Sequence, residues 1–426
     1  ATMWISGGLK SDFYVDSSVI TKISDDIIDP LVFQDPKVNK DVIKKKYYIG
    51  GLIKAPAGEE YSQTTNGNQL FVELGENTTF MGKFFGSRND IGGGVDSTSS
   101  YSVVGDTNNN EVDITLNKNS KLYAKLIFGG RSAQLDTVKG SEVEIKDQEG
   151  NTVAKTTAIH KGFQTNNNKI KIIGNLTGNS QAKDFEEKRP EESALLITKG
   201  IFGAEGYESN NNVVSIKNTL VSAGSTNARK LGLVGGRGLY YLRINQIQLG
   251  SVINNSLVWD GDKLADHSAI ANNNIVTVDN SYIGFKLADS DNDWITAAWG
   301  ASNQQAFSIY GGWATGQAEN NIVSIKNSVV NGNVIGGLEL QDRIYASKSD
   351  LRNLSPNLVS LFNVKISAGS SVYGTSTAEG NVSQLASDNG VIRVDESSLK
   401  AVNRRRGVVY LAGENEADSI YARYVH

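Results

Sequence analysis

The feature that most constrains this chain is a short unit that recurs along most of its length. Between Glu319 and Gly337 it consists of three short apolar segments separated by polar corners, namely Val323 with Ile325, Val329 with Val330, and Val334 with Ile335. Each segment is too short to be a stable strand alone and has to stack on a copy of itself. The unit therefore predicts one coil of a solenoid, because a hairpin would need one tight turn between two longer strands.

Copies of this unit recur upstream and downstream. Close copies begin at Asn210 and Asn272, and weaker ones begin at Asn108, Asn166, Asn363 and Asn389. A closing glycine element follows many copies, at intervals of about 32 to 43 residues, which is a period typical of a solenoid, propeller or array. The longer interval from Gly129 to Gly203 predicts one skipped copy. We expect parallel strands whose inward residues share one core, among them Val214, Ile216, Val276, Val278, Val323 and Ile325.

Composition agrees with a β-rich repeat protein. The 426 residues include 44 glycines but only 5 prolines, and 39% are hydrophobic. No apolar run is long enough to cross a bilayer, so we expect no membrane insertion. We predict an all-β fold, a parallel β-helix that runs as one solenoid over residues 67–426. Residues 1–66, which hold three of the prolines, are predicted to be an irregular N-terminal cap.

The predicted coils are separated by long excursions of variable composition. Two of these carry helical signals, one from Gln181 to Lys188 after the capping residue Ser180, and one from Leu338 to Ser347. We therefore expect one or two short helices on loops outside the coils. Excursions from a rigid scaffold are where binding residues usually lie.

Several kinds of chemistry are excluded or disfavoured by composition. With no cysteine, the chain has no disulfide, thiolate metal site or cysteine nucleophile. The net charge of −4 disfavours a nucleic-acid partner, which would select a basic surface. The three histidines have no triad-like spacing. Asp289 begins like a calcium loop, but Trp294 and Gly300 stand where that loop needs Gly and Glu. We therefore predict no catalytic residue, metal or cofactor, and no enzyme activity.

Asparagine recurs at the predicted corners, for example at Asn218, Asn280 and Asn327. In a parallel coil such residues stack, and their amides hydrogen-bond along the axis. Asparagine also tolerates the left-handed backbone of a sharp corner. We interpret these residues as structural. The glycine pairs are interpreted in the same way, because no helix and no Lys-Ser/Thr follows them as in a phosphate loop.

Four of the five tryptophans, Trp259, Trp294, Trp299 and Trp313, lie close together in the sequence. Tryptophan beside aspartate is typical of a sugar-binding platform, where the ring stacks on the sugar and carboxylates bind its hydroxyls. Trp299 and Trp313 adjoin glycine motifs, and the alternative for these two is that they fill the coil interior. The predicted ligand-binding residues are Trp259, Asp260, Asp262, Asp291, Asp293 and Trp294.

The repeated Asn-Asn-x-Val-x-Ile-x-Asn-Ser unit and the Gly-Gly element that follows it, as in Asn320–Gly337, resemble the passenger domains of bacterial type V autotransporters. The large adhesins of fusobacteria and related Gram-negative anaerobes are the most similar group, and the resemblance spans roughly Gly67 to Gly413. It implies a right-handed parallel β-helix that an outer-membrane barrel carries to the cell surface. The segment shows neither the export signal nor the barrel, so surface display rests on the resemblance alone.

Two functions follow as hypotheses. The first is a cell-surface or secreted adhesin or virulence passenger, which binds a receptor or a glycan on a host or partner cell through loops on the β-helix. The alternative is a polysaccharide lyase, hydrolase or tailspike-like enzyme, since the same scaffold hosts both. Acid pairs with basic residues along one outer face would favour the enzyme, and aromatic loops without them would favour binding.

Overall fold

The computed structural model consists of β-strands joined by turns and corners. It describes residues 2–7, 47–55, 66–77, 79–91, 106–132, 137–146, 152–159, 164–176, 190–223, 232–238, 242–247, 269–286, 307–314, 317–339, 356–379, 386–388, 391–393, 400–404, 407–421 and 424–425. Thirty strands form three sheets, and no helix occurs in these ranges. The fold class is therefore all-β, as predicted.

The first sheet contains ten strands, and every neighbouring pair is parallel. Its spatial order follows the order of the strands along the chain, so each return of the chain adds one strand beside the last. The strands are β1 (Thr2–Gly7), β3 (Gln69–Leu74), β5 (Glu111–Leu116), β9 (Lys169–Ile173), β12 (Val213–Lys217), β16 (Ile275–Asp279), β19 (Ile322–Lys326), β22 (Asn357–Phe362), β28 (Gly407–Ala412) and β30 (Tyr424–Val425).

The second sheet contains fifteen strands, all in parallel pairs except one. Long strands near the N-terminus give way to pairs of shorter strands separated by a corner. The strands are β2 (Tyr47–Ala55), β4 (Thr79–Ile91), β6 (Lys121–Arg131), β10 (Leu195–Thr198), β11 (Ile201–Gly206), β13 (Leu220–Ala223), β14 (Leu233–Gly238), β17 (Tyr282–Ile283), β18 (Ile309–Ala314), β20 (Val329–Val330), β21 (Val334–Glu339), β23 (Lys365–Ile366), β24 (Ser371–Glu379), β27 (Lys400–Arg404) and β29 (Ser419–Tyr421).

The third sheet is antiparallel and is built from excursions that leave three different coils. They follow β6, β14 and β24, and their spatial order matches the order of those parent strands. The five strands, in spatial order, are β25 (Ala386–Asp388), β26 (Val391–Arg393), β15 (Leu242–Ile247), β8 (Thr152–Ile159) and β7 (Thr137–Lys146). Excursions distant in sequence thus pair into one layer.

The predicted repeat unit matches one coil of the structure. Its three apolar segments are β19 in the first sheet and β20 and β21 in the second. β19 pairs in parallel with the equivalent strands of the coils before and after it, β16 and β22. The chain is therefore a stack of coils with a solenoid-like course.

The predicted core is confirmed. All six inward residues belong to one cluster of buried aliphatic side chains, and residues of equivalent position are register partners across coils. Alternation along each strand explains this, because successive side chains point to opposite faces. The confirmed residues are Val214, Ile216, Val276, Val278, Val323 and Ile325.

The interval between coils varies more than the glycine spacing suggests. Successive members of one asparagine column, from Asn68 to Asn357, lie 42, 58, 44, 62, 47 and 36 residues apart. The predicted skipped copy between Gly129 and Gly203 is wrong, because Phe128 pairs directly with Phe202. Part of the extra length forms β7 and β8 of the third sheet, and part lies in the connection from β9 to β10.

The asparagine corners are confirmed as structural. Asn218, Asn280, Asn327 and Asn363 all have positive φ, between 43° and 52°. Asn280 Nδ2 donates to Asn218 Oδ1 at 3.0 Å, and Asn363 Nδ2 donates to Asn327 Oδ1 at 3.2 Å. A second, fully buried column hydrogen-bonds from coil to coil through both backbone N–H and side-chain amide groups. Its members are Asn68, Asn110, Asn168, Asn212, Asn274, Asn321 and Asn357.

The glycine pairs make room for this buried column. A Cβ on Gly235 would overlap the carbonyl oxygen of Gly311, and a Cβ on Gly236 would overlap the Asn274 amide. Any larger residue would separate adjacent coils or displace the asparagine.

The predicted helix from Leu338 to Ser347 is wrong at its start. Leu338 and Glu339 end strand β21, where they pair with β18 and β24. Inter-coil pairing outweighs the local helical signal there. The predicted helix from Gln181 to Lys188 lies outside the described residues. Within the proposed cap of residues 1–66, β1 and β2 already pair in parallel with β3 and β4.

Candidate functional site

The predicted ligand-binding residues belong to two insertions into one part of the stack. All six lie outside the described residues, so their role stays a prediction. β20 and β21 are joined by residues 331–333, whereas the equivalent strands one coil earlier, β17 and β18, are joined by residues 284–308. Asp291, Asp293 and Trp294 belong to that longer connection, and Trp259, Asp260 and Asp262 belong to the connection from β14 to β16.

The two insertions are attached to two adjacent parallel strands, each at the opposite end from the other. One leaves from the C-terminal end of β14, and the other enters the N-terminal end of β18, its register partner. Six-residue strands rise about 20 Å, so the insertions have to span this length to form one surface. That they do so stays a prediction.

Trp313 is buried, which agrees with the filling role considered for it. Its ring lies 5.1 Å from the Tyr310 ring, and the Arg237 guanidinium carbon lies 5.1 Å from its centroid. Trp313 therefore packs in an aromatic and charged layer and does not offer a binding surface. Trp299 lies outside the described residues.

The outward face of the ten-stranded sheet carries regular rows of side chains, because residues in register stack from coil to coil. One row is aliphatic and the next is hydroxylic, and all of their members are partly exposed. Neighbouring members of a row are separated by one strand spacing, about 4.8 Å. The aliphatic row is Val213, Ile275, Ile322 and Leu358, and the hydroxylic row is Ser215, Thr277, Ser324 and Ser360.

Two exposed aromatic side chains lie near the C-terminal end of this sheet. Phe362 is 42% exposed and Tyr410 is 43% exposed. Tyr410 is the register partner of Ser360, so Phe362 and Tyr410 are diagonal neighbours on adjacent strands. Lys326 precedes Phe362 in its row and supplies a charged donor beside the ring.

An acid pair with basic neighbours lies nearer the N-terminal end of the same face. Glu111 and Asp113 share a face of β5, and their register partners on β9 are Lys169 and Lys171. The pKa of Asp113 is raised from 3.8 to about 6, first by burial and then by the charge of Glu111 and a hydrogen bond with it, while the two lysines oppose the shift. This is the arrangement that favours the enzyme alternative.

Asp113 gives the fold a measurable dependence on pH. Its folded-state pKa is raised, so between about pH 4 and pH 6 the folded chain binds more protons than the unfolded chain. The charged form therefore costs stability above pH 6, and stability is gained as pH falls through 6. We expect the melting temperature of the parent to rise relative to that of Asp113→Asn when pH is lowered from 7.5 to 5. Parallel melting curves at both pH values would contradict this assignment.

A buried ion ladder, which sequence reasoning missed, lies on the fifteen-stranded sheet. Arg131, Glu205 and Arg237 are successive register partners on β6, β11 and β14. Arg131 Nε donates to Glu205 Oε1 at 3.2 Å, and Arg237 Nε donates to Oε2 at 2.8 Å. Burial alone would raise the pKa of Glu205, but the two guanidinium groups outweigh it and hold that pKa below its usual value. Aromatic rings flank the ladder, and the Arg237 carbon lies 4.3 Å from the Phe202 centroid.

In the part of the chain that the structure describes, no group of three or more histidine, aspartate or glutamate side chains is placed to hold a metal ion. The calcium-like segment at Asp289 lies outside that part. No helix among the described residues has the length and apolarity needed to cross a membrane.

Comparison with protein-family models, with curated proteins and with solved structures found no match.

Proposed function

We propose that this chain is an adhesin-type binding module, a passenger displayed on or released from the surface of a Gram-negative bacterium, and that it binds a receptor or a glycan on a host or partner cell. The observation that carries the proposal is the outward face of the ten-stranded sheet, where the hydroxylic row leads to the exposed ring of Tyr410 and the neighbouring row leads from Lys326 to the exposed ring of Phe362. Exposed aromatic side chains beside polar groups mark binding surfaces.

The coils are proposed to wind in the right-handed sense of a parallel β-helix. Connections between parallel strands of one sheet are right-handed in about 98% of cases. The sequence resemblance to autotransporter passengers implies the same handedness. Under this proposal, the insertions that carry Trp259 and Trp294 supply the ligand-binding residues.

Loss of the predicted tryptophans is expected to weaken binding without unfolding the chain. We expect Trp259→Ala or Trp294→Ala to reduce binding to target cells or to glycans on an array by about tenfold, which equals about 1.4 kcal/mol. The expected reason is that a ring on an insertion contributes a large contact area but no core packing. Binding titrations and melting curves of both variants measure this.

Trp313→Ala is the matched control, because its ring is buried and flanked by Arg237. This variant should lose stability first and binding only as a consequence. If Trp259→Ala and Trp294→Ala melt early as Trp313→Ala does, the insertion rings are core. If they bind as the parent does while Phe362→Ala or Tyr410→Ala binds weakly, the site is the sheet face and not the insertions.

The second candidate is a polysaccharide-cleaving enzyme, which the acid pair beside Lys169 and Lys171 favours. Glu111 and Asp113 share a hydrogen bond, whereas the carboxyl groups of glycoside hydrolases stand about 5 to 9.5 Å apart. The arrangement therefore suits proton abstraction by a lyase better than hydrolysis. Release of unsaturated oligosaccharides from a polysaccharide panel, abolished in Asp113→Asn, would establish it. If no polysaccharide yields a product, the enzyme alternative is contradicted and the binding function remains.

A further inference from the structure

The buried ion ladder holds more positive than negative charge. Glu205 is 2% exposed, and each of its two carboxylate oxygens already accepts from one arginine. One carboxylate thus faces two guanidinium groups, each of which carries a positive charge. On β4, in the preceding coil, the register partner of Arg131 is Arg88.

The excess positive charge lies at Arg131, which is the most exposed of the three side chains in the ladder. Its side chain is 35% exposed, whereas that of Arg237 is 7% exposed. Among the described residues, Glu205 is the one acceptor for the Arg131 guanidinium, which donates to it through Nε and has no acceptor there for its two terminal nitrogens. The Phe128 ring lies beneath, with its centroid 5.2 Å from the guanidinium carbon, and orients the planar group. A guanidinium that is held on one edge and free on the other is suited to an oxyanion, which it binds through two parallel hydrogen bonds.

We propose that Arg131 binds the carboxylate or sulfate group of an acidic polysaccharide, an inference that rests on the proposed binding function and specifies its ligand. Arg131 ends β6, at the point where the chain leaves the coil to form β7 and β8 of the third sheet. A ligand there would contact both the coil stack and the excursion layer. A neutral glycan would leave the excess charge uncompensated, because hydroxyl groups carry no charge.

The test measures binding of the full chain to immobilised heparin, polygalacturonate and neutral dextran at low and high salt. The parent is expected to bind at least one acidic polymer at least tenfold more tightly than dextran, and salt should weaken that binding. Arg131→Gln should bind the acidic polymer about tenfold more weakly than the parent. Arg131→Lys should lose less affinity, because lysine keeps the positive charge although it cannot donate two parallel hydrogen bonds. Glu205 keeps Arg237 in both variants, and melting curves check that they fold.

Lys118→Gln is the control, since Lys118 is an exposed lysine at the corner between β5 and β6 and this variant is expected to bind as the parent does. Equal losses in Lys118→Gln and Arg131→Gln would overturn the proposal, since they would show attraction by total charge alone. Unchanged heparin and polygalacturonate binding in Arg131→Gln would overturn it too, as would binding of inorganic sulfate without binding of either polymer. If the parent binds cells or neutral glycans through its tryptophans but neither acidic polymer, the proposed function stands and this inference fails.

Discussion

Val323→Asp should destabilise the fold by about 4 kcal/mol, the largest effect we expect from a single substitution. Val323 is fully buried, and its register partners are Val276 in one neighbouring coil and Val359 in the other. A carboxylate between two aliphatic layers has no partner to compensate the loss of water. Urea or thermal unfolding followed by circular dichroism measures the difference.

Ser324→Asp is the control for this substitution, one residue away on the same strand. Ser324 is partly exposed between Thr277 and Ser360 on the outward face. A charge there stays hydrated, so the unfolding free energy should change by less than about 0.5 kcal/mol. Equal effects at both positions, or a larger effect at Ser324, would mean that the strand has the opposite face inward.

Asn274→Leu should destabilise the fold by roughly 3 kcal/mol although it adds a hydrophobic side chain to a buried site. Asn274 Oδ1 accepts from the backbone N–H and the amide of Asn212, at 3.0 and 2.9 Å. Its Nδ2 donates to Ser209 O at 2.9 Å and to Asn321 Oδ1 at 3.0 Å. The substitution removes the partner of the Asn212 backbone N–H, the Asn212 amide and the Ser209 carbonyl, and each unpaired buried group costs about 1 to 3 kcal/mol. Unfolding curves of parent and variant give the value.

Asn273→Gly separates the role of the amide column from the role of the corner. Asn273 is exposed with φ of 58°, a conformation that glycine adopts without strain. Its substitution should therefore change stability little. A neutral Asn274→Leu combined with a destabilising Asn273→Gly would show that backbone geometry, and not the buried amide column, holds the corners together.

The coil architecture could be predicted because the repeat is local and its signals agree. Alternation at Val323 and Ile325, polar corners at Asn327, and glycines at Gly336 and Gly337 all require a neighbouring copy. The buried asparagine column was harder to predict, because an Asn-Asn-Asn run does not indicate which of its members points inward. The structure shows the third, as at Asn274, because the second is at the left-handed corner.

The excursions and the ion ladder could not be predicted in the same way. Pairing of β15 with β8 and β26 joins segments that share no repeat pattern. The ladder did leave a signal, because Arg131 and Arg237 each follow a glycine pair directly and Glu205 occupies the equivalent position between them. Aligning the copies on their glycines would have placed opposite charges in contact.

The most direct test of the stacking of coils uses engineered cysteine pairs. Because the chain has no cysteine, no native thiol can form a competing disulfide. Thr277→Cys with Ser324→Cys joins two register partners on adjacent coils, at a separation that a disulfide can span. Thr277→Cys with Lys326→Cys joins residues on the same face that are two positions out of register. We predict near-complete cross-linking of the first pair and little of the second. Cross-linking of the second pair without the first would contradict the register, and with it the stacking of coils.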